Sequence, residues 1–299
     1  MRFHQLFAQR TRPVISFEVF PPKTEEAMDG FRRVLPRLVE LRPDFMTVTY
    51  GALGSTQART LEIAALIRRD FALEAACHLT CVGSTAEGIE VILRRIRDSG
   101  IDNVVALRGD PPQGERHFQP PEGGYRHACE LVAHIRSRHP LGIAVAGYPE
   151  KHLEAPDVET DLRHLRDKVS RGADIVITQL FYDNRHYRRF VERARALGIG
   201  VPIVPGLLPI VGLQQVKRIT SMCGSTIPLD LLASLEARSG DEGAALEVGV
   251  RHAAAQAREL LQGGAPGIHF YVLNRSQHMQ RIMAEVRPLL DGPGGGARP

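Results

Sequence analysis

Polar side chains that could do chemistry stand in or at the ends of short apolar runs. Glu18 lies in VISFEVF, His78 in AACHLTCV, Asp110 just after NVVALR and Gln179 in DIVITQLF. Glu18 is the most informative. Its neighbours Phe17, Val19 and Phe20 are apolar, and a carboxylate taken into an interior costs several kcal/mol unless it is neutralised or paired. That setting is expected to raise its pKa above the free value of ~4.3, so that it holds a proton near neutrality and acts as a general acid. Asp110 sits in Gly-Asp-Pro-Pro, which is also an ordinary turn. His78 suits a hydrogen-bonded core histidine as well as a site. Thr47, Thr49, Tyr148, His269, Tyr271 and Asn274 also fall on or after such runs, and for Thr49 or Asn274 alone a solvated loop position is the plainer reading. Two carboxylates in unlike surroundings form the pattern of acid catalysis beside a charged or hydrogen-bonding partner.

The elements that position these groups follow from periodicity. β-rich runs at 14–20, 45–50, 75–82, 103–108, 142–147, 174–181, 202–207 and 267–273 alternate with amphipathic segments. Helices are predicted over 25–41, 56–70, 85–99, 124–138, 157–171, 184–197, 212–222, 228–237, 241–262 and 276–287. Ile89, Ile92, Leu93 and Ile96 show the helical spacing, and Ser55-Thr56, Ser84-Thr85 and Asp157 sit where N-caps belong. Strand–helix alternation requires parallel pairing with right-handed crossovers. Eight strands in a 299-residue chain, with no GxGxxG after a strand, favour an α/β (β/α)8 barrel over an open doubly wound sheet. The segments 228–237 and 241–262 are then extra helices before the last strand. A single domain is expected over 1–290, with DGPGGGARP (291–299) as a frayed tail. In such a barrel the chemistry belongs at the carboxyl ends of the strands, where these polar groups fall.

Composition removes other classes. With 43% hydrophobic residues and a net charge of +4, the bulk of the chain is not disordered. No apolar run approaches the ~20 residues of a membrane span, and MRFHQLFAQRTRP lacks the pattern of a signal peptide. A soluble cytoplasmic protein is expected. Arginines in RRIRD and RHYRRFVERAR alternate with acids and apolar positions, as on solvated helix faces, so no nucleic-acid partner is expected. The cysteines Cys77, Cys81, Cys129 and Cys223 include no CxxC pair, and no HExxH, Walker sequence or Ser-His-Asp order is present, so no metal site is expected. Cys77 and Cys81 lie about 13 Å apart along one strand, too far for a disulfide. The residues alone therefore describe a barrel enzyme with an acid, acting on a small polar molecule.

At these same residues the sequence resembles the methylenetetrahydrofolate reductase family. The stretches that carry the resemblance are SFEVFPPKTEE (16–26), TVTYGALGST (47–56), HLTCVGST (78–85), ALRGDPP (106–112), AGYPEKHLEA (146–155), ITQLFYD (177–183), PIVPGLLPI (202–210) and HFYVLNRS (269–276). They run in order from near one end of the chain to near the other. The resemblance implies a (β/α)8 barrel and the short bacterial form, without a regulatory domain. It also implies a homo-oligomer serving one-carbon metabolism and methionine biosynthesis. The activity it implies is FAD-dependent, ping-pong reduction of 5,10-methylenetetrahydrofolate to 5-methyltetrahydrofolate by NAD(P)H.

Carried over by position, Glu18 is the general acid that assists ring opening, and Asp110 is the acid near the flavin pyrimidine edge that also contacts the pterin. Gln179 serves folate and nicotinamide in turn, and Gln215 and Arg275 fall at further substrate-side positions. The FAD positions are Thr49, Tyr50, Ala52, His78, Arg108, Gly109, Asp110, Ala128, Tyr148, His152, Ala155, Asp161 and Lys168. Arg108 and Lys168 would offset the diphosphate charge. His127 stands where the family often has Tyr, Ile219 where some members have a stacking aromatic, and Leu53 where a small residue or Met is usual. Two other readings stay open: a flavin-independent folate reductase of the same superfamily, and a non-catalytic barrel acting as a partner subunit.

Overall fold

The computed structural model describes residues 1–50, 57–111 and 118–291. Ala52, Leu53, the Ser55-Thr56 cap and the tail from 292 onward lie outside the described residues. The strands are β1 (Val14–Val19), β2 (Phe45–Val48), β3 (Glu74–Thr80), β4 (Asn103–Leu107), β5 (Gly142–Gly147), β6 (Ile175–Thr178), β7 (Ile203–Val204), β8 (Gly206–Leu207) and β9 (Gly267–Tyr271). Between and around them run α1 (Phe3–Gln9), α2 (Glu25–Val39), α3 (Gln57–Phe71), α4 (Ala86–Asp98), α5 (Ala128–Arg138), α6 (Val158–Ser170) and α7 (Asn184–Ala196). The last helices are α8 (Leu213–Cys223), α9 (Leu229–Glu236), α10 (Glu242–Gln262) and α11 (Gln277–Asp291). The predicted helices before the last strand are thus present as α9 and α10. Thr85 and Asp157 cap α4 and α6, accepting from the Gly88 and Thr160 N–H groups at 3.1 and 2.7 Å.

The strands pair in the order β7-β6-β5-β4-β3-β2-β1-β9-β8, all parallel. The two ends of that order, β7 and β8, are halves of the single run predicted at 202–207. Pro205 divides them because it has no N–H to give to a ladder. β7 pairs with β6 and β8 with β9, so the run passes from one neighbour to the other and the sheet closes into a TIM-type barrel. Gly206 is required at that crossing: a Cβ there would lie 2.1 Å from the Thr178 carbonyl oxygen.

Alternation along each strand separates two interiors. Ile15, Phe17 and Val19 of β1 pack outward with Met28, Leu35 and Leu38 of α2 in the large sheet–helix core. Val14 faces inward, with Phe45, Ala76, Val105, Ala144, Ile175 and Val204. This inner cluster is closed by α1, which the sequence analysis did not predict: Phe3, Leu6 and Phe7 are all buried in it. The Phe3 ring meets Phe45 edge-on at 5.0 Å. Asn103 fixes the plug by accepting the Phe3 N–H at 2.8 Å and donating to the Met1 carbonyl at 2.9 Å. Since Val14, Phe45 and Asn103 begin their strands, the plug fills the amino-terminal end of the barrel. No helix among the described residues is long and apolar enough to cross a membrane.

Candidate active site

Above the plug, the inward positions turn polar. β1 contributes Ser16 and Glu18, β2 Thr47, β3 His78, and β9 His269 and Tyr271. Register brings several of them together, with Glu18 opposite Thr47 on one side and Tyr271 on the other, and Ser16 opposite His269. Three donors converge on one carboxylate oxygen. Glu18 Oε2 lies 3.1 Å from the Thr47 hydroxyl, 3.0 Å from His78 Nε2 and 3.3 Å from His269 Nε2. His78 Nε2 is close but out of line, and it has no aligned hydrogen-bond partner. With Nε2–H given to Glu18, His269 Nδ1 accepts from the Ser16 hydroxyl at 2.8 Å. His269 is fully buried, whereas Glu18 is 16% exposed and lines the cavity. The second oxygen, Oε1, has no partner among the described residues.

This geometry corrects one expectation. Burial does push the Glu18 pKa up, but the charge of His78 and the hydrogen bond from His269 outweigh it and hold the carboxyl well below the usual carboxylate range. The apolar neighbours Phe17 and Val19 face the helices and do not surround the carboxylate. Glu18 is therefore ionised in the free protein, and an acid role requires a proton shared within the Glu18–His78–His269 cluster.

A cavity of about 920 Å³ opens at the carboxyl ends of the strands, near the upper end of the range for small-molecule sites. It is lined by the predicted residues Glu18, Thr49, His78, Arg108, Gly109, Asp110, Ala128, Tyr148, His152, Ala155, Asp161, Lys168 and Gln179. From the mouth it runs past β4 and β5 onto one face of α6, where Asp161, His164, Lys168 and Arg171 recur at helical spacing. Arg108 grips Glu154 through both terminal nitrogens, at 2.5 and 2.7 Å, and lies over the Phe118 ring. Gly109 has φ +88°, and a Cβ there would meet Val82 at 2.7 Å, so only glycine makes this turn. Lys168 Nζ donates to the Ala146 carbonyl at 2.6 Å; burial lowers its pKa to about 8 against the opposing pull of Asp161. Tyr148 and His152 meet edge to face at 4.6 Å, and Asp161 accepts the His152 N–H at 3.0 Å. Asp110 is exposed at the rim.

Other predicted residues lie outside the lining. Tyr50 is half-buried but borders no part of the cavity. Gln215 lies on α8 one turn before Ile219 and two before Cys223, both of which line the cavity. Arg275 is exposed beyond β9. The structure brings Thr47, His269 and Tyr271, which the strand-end pattern picked out without assigning them a role, into the site, and adds Ser16, which inward parity with Glu18 on β1 could have found. It also adds His127, His164 and Arg171 to the lining. Leu273, another lining residue, and Asn274 adopt consecutive left-handed conformations, each at φ 51°. The Asn274 amide holds that turn on β1 by accepting the Phe20 N–H at 3.1 Å and donating to its carbonyl at 2.8 Å.

The donor set fits an elongated anionic cofactor. Arg108, Lys168 and Arg171 supply cations along the cavity among six lining carboxylates, Glu18, Asp110, Glu130, Glu154, Asp161 and Asp167, and the half-buried Lys168 ammonium has none of these within ion-pair distance among the described residues. All four cysteines are free, and burial pushes the Cys77 and Cys81 thiols up to about 12, leaving them inert.

Comparison with known proteins bears on this site. A family model described as Methylenetetrahydrofolate reductase matches residues 2–287. Methylenetetrahydrofolate reductase (NADH) 1 of Arabidopsis thaliana is 41% identical over 277 residues, covering 89% of this chain and 47% of that protein. The chain thus spans about half the length of that plant relative. The 5,10-methylenetetrahydrofolate reductase of Escherichia coli strain K12 is 37% identical over 263 residues, covering 88% of this chain and 87% of that one. Among solved structures, an uncharacterized protein from Clostridium thermocellum, described as binding two copies of 5-methyl-5,6,7,8-tetrahydrofolic acid, superposes with a TM-score of 0.64 at 19% identity. It covers 95% of this chain and 97% of its own, a likeness of fold.

Proposed function

The chain belongs to the methylenetetrahydrofolate reductase family, and from that premise we propose that it reduces 5,10-methylenetetrahydrofolate to 5-methyltetrahydrofolate with NAD(P)H, using FAD held in the mouth cavity. The observation that carries this reading is the convergence of His78, His269 and Thr47 on one oxygen of Glu18 at the cavity wall, with the other oxygen unpartnered among the described residues. The net reaction consumes the folate, one NAD(P)H and one proton. Bound FAD supplies hydride transfer between the two substrates in turn, the basis of ping-pong kinetics.

The chain's own residues supply position and the proton. Glu18 donates that proton from Oε1 to the ring nitrogen released as the five-membered ring opens. Thr47 and His269 donate to Oε2 and His78 Nε2 lies 3.0 Å from it, so the acidic proton belongs on Oε1, which has no partner among the described residues. A carboxylate paired with an imidazolium carries as many protons as a carboxylic acid paired with a neutral imidazole. Displacing water from the mouth favours the second form, because ionised groups lose hydration. His78 and His269 face Oε2, so the proton on Oε1 comes from water at the mouth as an imidazolium gives up its own, and Ser16 orients His269. Arg108 and Lys168 would hold the cofactor diphosphate, with Arg108 also held by Glu154. Asp110 disfavours negative charge on the reduced ring and so favours hydride donation. Gln179, whose Oε1 now accepts the Leu180 N–H at 2.9 Å, must release that bond to reach a substrate.

The test is FAD titration of the purified chain, followed by an assay for 5-methyltetrahydrofolate with NADH and NADPH. Stoichiometric FAD uptake and flavin-dependent product formation are expected. Product formation without flavin would replace this reading with the flavin-independent one.

A further inference from the structure

Outside the mouth, three ligand-type side chains meet on the barrel's outer wall. Glu90 lies on the second turn of α4 and His134 on α5, while His139 follows directly as the C-cap of α5. The extended backbone of His139, at φ −131° and ψ 136°, turns its ring back alongside His134. His134 Nε2 is 3.1 Å and His139 Nε2 3.0 Å from the same oxygen, Glu90 Oε2. All three ligand atoms lie within 4.8 Å of one another. Both imidazoles are buried, with side-chain exposures of 6% and 3%. None of the three lines the mouth cavity.

We propose that Glu90, His134 and His139 form a binding site for a single zinc-class divalent ion that clamps α4 to α5. An ion 2.0–2.2 Å from each ligand atom is compatible with neighbouring ligands about 3 Å apart, and water completes the tetrahedron. Two imidazoles and one carboxylate select zinc over magnesium or calcium, which prefer all-oxygen shells. Supporting contacts are in place. The Tyr125 hydroxyl is 2.6 Å from His134 Nδ1, where it can accept the proton that ligation through Nε2 leaves on that nitrogen. Arg94 donates to the other oxygen, Glu90 Oε1, at 3.1 Å, so Oε2 is presented to the histidines.

The test uses the untagged full chain, stripped with chelator, incubated with excess zinc chloride, desalted and assayed for zinc by mass spectrometry. The wild type is expected to keep one equivalent. The Glu90→Gln/His139→Gln double variant should keep one fewer, with unchanged FAD uptake, and His4→Gln, an exposed histidine elsewhere, should match the wild type. Cobalt substitution should give the visible bands of a tetrahedral nitrogen–oxygen site in the wild type and in His4→Gln but not in the double variant. Equal zinc in wild type and double variant would overturn the proposal. Should the double variant fail to fold, the single His139→Gln variant carries the comparison, and a wild type retaining less than one equivalent overturns the proposal by itself.

Discussion

The two ends of the barrel are built from the same strands with the same alternation, yet they do opposite things. At the amino-terminal end the inward positions are Val14, Phe45, Ala76 and Val105, and α1 seals them with Phe3, Leu6 and Phe7. One or two inward positions further along, the residues are Ser16, Glu18, Thr47, His78 and His269, and the end opens into the cavity. The difference teaches that position along a strand divides labour here: apolar surface gathers at one end, and the polar groups that burial penalises gather at the other. A change at the base should therefore move stability and leave turnover alone, whereas a change at the mouth should do the reverse.

The strongest test of that division is Glu18→Gln. Removing the acid should slow folate reduction by about 10²–10⁴-fold, while oxidation of NAD(P)H by bound FAD continues and thermal stability changes little. Equal loss of both half-reactions would remove Glu18 as the folate-specific acid. At the opposite end, Phe3→Ala should cost about 3–5 kcal/mol of unfolding free energy in denaturant melts, with turnover per folded molecule unchanged. A fall in turnover there would break the comparison.

A third test concerns His278, buried at the start of α11 outside the cavity. Burial, helped by the charge of Arg275, lowers its pKa to about 4. The native state thus resists protonation while the unfolded chain takes up its proton near ~6.5. Stability should fall as pH drops from ~6.5 towards 4, by about 3 kcal/mol once below both values. His278→Gln should flatten that slope without altering turnover at neutral pH. The smallest effect is expected at Lys168→Met, which should weaken FAD binding by about 10-fold through the lost charge-assisted contact. Because the native pKa of Lys168 is about 8, against ~10.4 unfolded, the native state carries fewer protons between those values. The cofactor-free wild type should therefore gain stability from this group as pH rises through that window. The variant should lack the gain.

Much of the scaffold was legible in the sequence because strand and helix periods are local properties. The extra helices α9 and α10 fall within one residue of the predicted 228–237 and 241–262. Two features escaped. The run 202–207 reads as one strand, because its division at Pro205 depends on which neighbour each half pairs with. The plug α1 carries its own signal, Phe3, Leu6 and Phe7 at helical spacing, but a segment this short has no core to face until the barrel exists. At the site, the positions were legible and the electrostatics were not. Residues adjacent in sequence point to opposite faces of a strand, so Phe17 and Val19 say nothing about what surrounds the Glu18 carboxylate. Its partners lie on β2, β3 and β9, as far as 251 residues away. The Glu90–His134–His139 cluster was hidden for the same reason, since it joins α4 to the end of α5 across 44 and 49 residues.

On the proposed function, the mouth holds a flavin that serves nicotinamide and folate in succession. Double-mixing stopped-flow under anaerobic conditions tests it most directly: the FAD-loaded chain is mixed first with NADH or NADPH, then with 5,10-methylenetetrahydrofolate, while flavin absorbance is followed. The account predicts bleaching in the first mix and full return of colour in the second, with one 5-methyltetrahydrofolate formed per flavin. Failure of both nicotinamides to bleach the flavin, or a reduced flavin that the folate does not reoxidise, would contradict it.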